Sequence, residues 1–414
     1  MTSVRTRSSL RVGVLVVAIA LLFSACGSKS SSGAADGPPP AGLTARDDAK
    51  VAGLADHTMT HGDDCVGDIN KDGYLDVLLN SHADQWKLYC GSASGRFTLA
   101  PITFSRRDRH SCVFADFNGD GLLDIYFSIG ACRGTCKNAK ELWVQRPDHT
   151  FVDEAKQWGL TDPGSRGRVA IAVDANGDHR PDLFTGEVVG VKNPSSDKLW
   201  LNAANHFVLQ HGPLTAEVGG FFAAAADLNH DGLDEIALCT PNGFFLYRAE
   251  GGGKYVDATT SFGLTSFGRR AVRFADVNHD GWDDFISVTR KGVTVLPNDH
   301  GNFDKATFTF NTKDADDASL GDVDGDGNLD LYVQVGPTAK GPTPKGPDKL
   351  FLGDGTGHFG PGPVVPLRHG AGESVTTLSQ WRNGRDAFIV NNGYETIRGD
   401  RQLIDVVGTR RPSK

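Results

Sequence analysis

No apolar stretch in these 414 residues is long enough to cross a membrane as a helix. The run from Val12 to Phe23 falls well short of the roughly 20 residues that such a helix needs. Positive charge is also in short supply. The net charge is −9, and no Lys/Arg stripe tracks a phosphate backbone, which excludes nucleic acid as a partner. Neither an HExxH signature nor a separate Ser/His/Asp motif is present, so the commonest hydrolase chemistries have no foothold.

What the chain has instead is one acidic loop, D-x-[DN]-x-D-G-x-x-[DE] or close to it, six times over at intervals of 46 to 58 residues. Its acid and amide positions are Asp68, Asn70, Asp72 and Asp76; Asp116, Asn118, Asp120 and Asp124; and Asp174, Asn176, Asp178 and Asp182. The series continues with Asp227, Asn229, Asp231 and Glu235; Asp276, Asn278, Asp280 and Asp284; and Asp322, Asp324, Asp326 and Asp330. Oxygen side chains at positions 1, 3, 5 and 9 can wrap one hard cation, with Gly at position 6 supplying a positive φ for the sharp turn. This is calcium chemistry, about six structural Ca²⁺ ions, since magnesium keeps more of its water. An EF-hand is ruled out. It needs a bidentate Glu at position 12, where this chain has Leu79, Phe127, Thr185, Leu238, Ser287 or Val333.

The loops are flanked by short β-branched and aromatic runs, such as Cys65-Val-Gly before the first and Asp76-Val-Leu-Leu after it. A third apolar run follows in each repeat (Lys87-Leu-Tyr-Cys, Leu142-Trp-Val, Lys198-Leu-Trp-Leu and so on). A turn then leads to an aromatic strand start at Phe97, Phe151, Phe207, Tyr255, Phe303 or Phe359. Four strands per repeat of about 50 residues describe a propeller blade. The stretch around Ser379 to Val390 repeats strand, loop and strand without the first ligand acids, which predicts a seventh, metal-free blade. Asp47 to Asp56 parallels Asp153 to Asp162, which follows an outer strand, so residues near 43 to 47 are expected to complete that blade. The expected fold class is all-β: a seven-bladed β-propeller of four-stranded blades, six carrying calcium loops between first and second strands, closed by the N-terminal strand. The expected organisation is a signal peptide at 1–25, a flexible tether at 26–42 and the propeller at 43–414.

The six-fold motif resembles the FG-GAP/VCBS repeat family, the propeller type of integrin α-subunit heads, over about residues 45 to 410. Phe151-Val-Asp-Glu-Ala with Trp158-Gly-Leu, and Tyr255-Val-Asp-Ala-Thr with Phe262-Gly-Leu, resemble its cartilage acidic protein-like members. The third loop departs most, with His179 in place of Gly and Pro181 at position 8, and is expected to hold metal most weakly.

At the N-terminus, Arg5, Arg7 and Arg11 precede the apolar run, and Ser24-Ala25-Cys26 ends it, as in a bacterial lipoprotein signal with lipidation at Cys26. The Ser/Gly- and Pro-rich stretch after it reads as a tether. Localisation is therefore expected to be extracytoplasmic, on the membrane through that lipid alone. Export permits disulfides. Cys132 and Cys136 are expected to close a small ring, while Cys65, Cys90 and Cys112 cluster without a derivable connectivity and Cys239 reads as a buried small hydrophobe. Loss of residues 1–25 with their three arginines takes the charge from −9 to −12, and six divalent ions would bring it to zero. The acidity is thus mainly ligand inventory.

The face opposite the metal loops collects basic residues and histidines. Arg109, His110, Arg168 and Arg270 stand five to seven residues before a loop's first Asp, at near-equivalent positions around one mouth. Asp108, Asp314 and Asp316 stand close enough to balance this rim. The resemblance to adhesion proteins implies a non-catalytic role in which this mouth binds an extracellular glycan or protein. The competing class is a polysaccharide-active, lyase-like enzyme using a basic group on that face. Acid-rich loops leave little room for substrate on calcium, which favours recognition over catalysis.

Overall fold

The structure, a computed structural model, describes residues 41–408 except 61, 83, 131–139, 161, 163–164, 189–195, 216–218, 266, 268–269, 304–307, 312–313, 337–346, 367–373 and 394–397. The expected signal peptide, most of the tether, Cys26, and the Cys132/Cys136 ring lie outside the described residues.

Seven antiparallel sheets follow one another along the chain. Blade one is built from Cys65–Gly67, Asp76–Leu79, Lys87–Cys90 and Thr98–Leu99. Blade two is Arg109–Ala115, Asp124–Ile129, Glu141–Gln145 and Phe151–Asp153, and the pattern repeats through blade six, which ends at Phe359–Pro361. The second strand is the most deeply buried element. Asp124–Ile129, Asp182–Glu187, Glu235–Thr240 and Asp330–Val335 are buried at every position, as expected for strands covered on both faces by neighbouring blades.

Blade seven closes the ring as the sequence implies. Ser374–Arg382, Arg385–Asn391 and Gly399–Gly408 come from the C-terminal part, and Leu43–Asp47 pairs with the last of these from Leu43 opposite Gly408 to Asp47 opposite Ile404. In place of the acidic loop it has a two-residue Asn383-Gly384 turn, both residues at positive φ (56° and 72°), the geometry that Asn-Gly hairpins favour.

The core is a chain of interblade clusters rather than one centre. Val113, Tyr126 and Leu142 of blade two, for example, pack with Ala170, Leu183 and Trp200 of blade three. The expected aromatic strand starts hold in four blades. In blade one the strand begins one residue after Phe97, and in blade five Phe303 lies ahead of Phe308–Phe310, buried against Phe285 at 5.9 Å between ring centres. There the aromatic anchors the turn into the strand.

Candidate functional site

Each acidic loop joins the first and second strands of its blade, and all six have the same internal wiring. The backbone N–H of position 6 donates to the position 1 carboxylate at 2.7–3.0 Å in every copy. Position 6 has positive φ throughout, 83–88° at the five glycines and 62° at His179. Position 4 is left-handed too, with φ of 58–80° at Lys71, Gly119, Gly177, His230, His279 and Gly325. Two left-handed residues two apart fold the loop around its own side chains. The motif's variable position 4 did not advertise this.

Position 9 is buried at the start of the second strand. One oxygen accepts the N–H of position 2 at 2.9–3.1 Å in all six loops. The carboxyl also accepts an N–H from the last residue of the third strand or just beyond it, at Gly91, Gln145, Asn202, Asn298 and Gly353. Burial is the main cause that raises these acids: Asp124, Asp182 and Asp284 are pushed up to about 7, Glu235 and Asp330 to about 8, with neighbouring loop acids adding to the shift. A cluster of carboxyls that resist losing their protons alone is what a divalent cation relieves. In the sixth loop Asp322, Asp324 and Asp330 each bring an oxygen within 4.8 Å of the others, a donor set suited to Ca²⁺.

The third loop differs as the sequence suggests, and for a further reason. The Arg180 guanidinium pairs with the Asp178 carboxylate and donates to the Asn202 carbonyl at 3.0 Å, while His179 Nδ1 lies 3.2 Å from Asp174. A guanidinium and an imidazole there engage two expected ligands.

On the opposite face, the inner strands of blades two, three and six each carry a bulge, at His110, Arg168 and Asp316 respectively. Bulges re-aim side chains at a sheet's rim, and these three occupy one equivalent position. The four expected ligand residues separate here. Arg109 is fully buried, its guanidinium 2.7 Å from Glu141 and over the Phe127 ring, so it braces blade two and does not face a ligand. His110 is almost buried, with Nε2 3.0 Å from Asp108 Oδ1. Arg270, 35% exposed, pairs with Asp316 across two blades at 2.8 Å. Arg168 is half-buried and donates to the Gly167 carbonyl. Arg106 and Arg107 pair with Asp84 and Glu141. The rim is charge-matched rather than simply basic.

Nearer the axis, Arg273 of blade five lies 2.9 Å from Asp317 of blade six and 3.6 Å from Asp63, which leads into blade one. Burial and the Asp317 carboxylate beside it raise the Asp63 pKa, with Arg273 opposing them. A disulfide joins Cys65 to Cys112, bridging the inner strands of blades one and two with 6.0 Å between Cα atoms. The sequence showed these cysteines clustering but not paired. Cys239 is buried within blade four, as expected.

Comparison with known proteins agrees with this architecture. The FG-GAP-like repeat family matches residues 68–127, 227–287 and 276–333. Cartilage acidic protein 1 of Mus musculus is 26% identical over 157 residues, 36% of this chain, and the Homo sapiens protein is 25% identical over the same length. In both, the match spans only 24% of the relative's own length. Among solved structures, BBS1N in complex with ARL6DN superposes with a TM-score of 0.51 at 10% identity, covering 90% of this chain and all of the other. A lectin of Agrocybe aegerita described as recognising non-reducing terminal N-acetylglucosamine matches at a TM-score of 0.48, 18% identity, 74% of this chain and 80% of its own. The chain is a seven-bladed β-propeller that carries FG-GAP-like repeats over residues 68–127 and 227–333.

Proposed function

We propose that this is a calcium-stabilised recognition propeller, exported and lipid-anchored at Cys26, whose rim opposite the metal loops binds an extracellular glycan or protein. The observation that carries the rim assignment is the bulge repeated at His110, Arg168 and Asp316, which sets polar side chains of three blades at one level of one mouth. Because Arg270 is matched by Asp316, such a rim selects through directed hydrogen bonds more than through a positive field. The calcium reading is supported by the position 6 to position 1 hydrogen bond shared by all six loops and by buried position 9 carboxyls that burial and neighbouring loop acids hold toward the protonated form.

The test is a glycan-array and pull-down screen that compares wild type with Arg168→Ala plus Arg270→Ala. Binding reduced at least tenfold in the double variant is expected. Equal binding by both would remove the rim as the recognition surface, and shortening of a glycan during incubation would replace recognition with catalysis.

A further inference from the structure

Where blades one and two meet, on the face away from the acidic loops, His82, Asp108 and His110 converge with one ligand-capable atom each, all within 4.8 Å of one another. We propose that these three residues form a binding site for a first-row transition metal of the Zn²⁺ class, chemically distinct from the oxygen-only loops. Asp108 Oδ1 lies 3.1 Å from His82 Nε2 and 3.0 Å from His110 Nε2. Ligands about 2.0–2.1 Å from a tetrahedral zinc stand about 3.3 Å apart, so small side-chain shifts would admit an ion between them. Two imidazoles and one carboxylate suit zinc or ferrous iron, whereas calcium takes oxygen.

The surroundings are built to hold this geometry. His110 is the bulged residue of blade two, Asp108 stands two residues before it, and the Asp108 carbonyl accepts the Gly130 N–H at 2.7 Å. A Cβ at Gly130 would lie 2.3 Å from His110 Nε2 and 2.6 Å from Asp108 Oδ2, so a side chain there would occupy the site itself. His82 is fixed from the blade-one side by its N–H on the Met59 carbonyl at 2.9 Å. The Cys65–Cys112 disulfide ties together the two blades that supply the ligands, two residues along the strand from His110. His82 and Asp108 remain 15% and 19% exposed while His110 is 2% exposed, so the triad is anchored inside and open outward. Three protein ligands leave a coordination position for water or for an oxygen donor of a bound molecule.

The experiment uses the full mature chain without an affinity tag, saturated with Ca²⁺, and titrates it with Zn²⁺ calorimetrically, with Co²⁺ absorption reporting geometry. Wild type is expected to bind one Zn²⁺ at pH 7.5 and to give the intense visible bands of tetrahedral cobalt. His82→Ala, a change in a partly exposed connecting segment, is expected to weaken zinc at least a hundredfold, with circular dichroism and melting unchanged. Asp108→Asn should weaken it at least tenfold, and Asp322→Ala in the sixth acidic loop should leave zinc binding intact. Absence of stoichiometric zinc uptake, or equal uptake by wild type and His82→Ala, would reduce the triad to a hydrogen-bonded His-Asp-His arrangement and overturn the assignment. Loss of Arg168/Arg270-dependent glycan binding would leave this result untouched, so the two proposals fail separately.

Discussion

At the scale of single residues, the position 9 acids decide how the loops respond to pH. Desolvation raises Asp124, Asp182 and Asp284 to about 7 and Glu235 and Asp330 to about 8 in the folded chain, far above the ordinary carboxylate range near 4. A raised folded-state pKa means that the native chain holds protons that the unfolded chain has released. This contribution is fully present below about pH 4 and is lost as pH rises through 7 to 8. Without calcium, the part of stability owed to these residues therefore falls from pH 5 to 8. Calcium bound in the loops would reverse the trend, because binding requires the carboxylate form and displaces those protons. Urea melts at pH 5.5 and 8.0, with chelator and with millimolar calcium, should show calcium's stabilising increment several-fold larger at pH 8.0. An increment independent of pH would show that position 9 acids do not titrate with metal uptake.

At the scale of strands and blades, the seam between blades seven and one carries the ring. Arg401, on the blade-seven strand Gly399–Gly408, is 1% exposed and lies 3.5 Å from the fully buried Asp64, while donating to the Asn80 carbonyl at 2.9 Å and the Asn391 side chain at 2.8 Å. Burial raises the Asp64 pKa, and Arg401 is the strongest influence opposing it. Arg401→Met would leave that carboxylate enclosed without its cation, at a cost of about 3–5 kcal/mol, read as a lower urea midpoint with unchanged m-value. A loss below about 1 kcal/mol would mean that the seam is held by the strand ladder alone. The blades themselves were legible because each repeat carries its own signal: acids at alternate positions and apolar runs on either side. Contacts between repeats were not, since Cys65–Cys112 and Arg401–Asp64 join residues 47 and 337 positions apart without any local pattern. Arg109 was misread for a different reason. A bulge at His110 shifts the in-out alternation by one residue, which turns Arg109 inward onto Glu141.

At the scale of the whole molecule, the loops are coupled around the ring. Gln145, Asn202 and Asn298 each give a backbone N–H to the position 9 acid of their own blade and a side-chain N–H to the position 2 carbonyl of the preceding loop, at 2.7–3.0 Å. Asp386 of blade seven accepts the Asp322 N–H at 2.9 Å, and Asp234 accepts the Asp174 N–H at 3.3 Å, so loops are also held by acids of the next blade. Emptying one cage thus loosens its neighbour, and chelation should lower the melting temperature of the entire propeller in one transition. A site occupied at a hundred times its dissociation constant adds about 2.7 kcal/mol, so the loss on chelation is bounded by how many cages fill. The cages are not equal. Asp322 would share an ion with Asp324 and Asp330, whereas Asp174 sits in a loop where Arg180 already engages Asp178 and His179 lies against Asp174 itself. In saturating calcium Asp322→Ala should therefore destabilise by about 2–3 kcal/mol, and Asp174→Ala by less than half as much. In chelator the two variants should converge, since what separates them is the bound ion; the opposite order in calcium, or an equal gap in chelator, would place the difference in the protein framework.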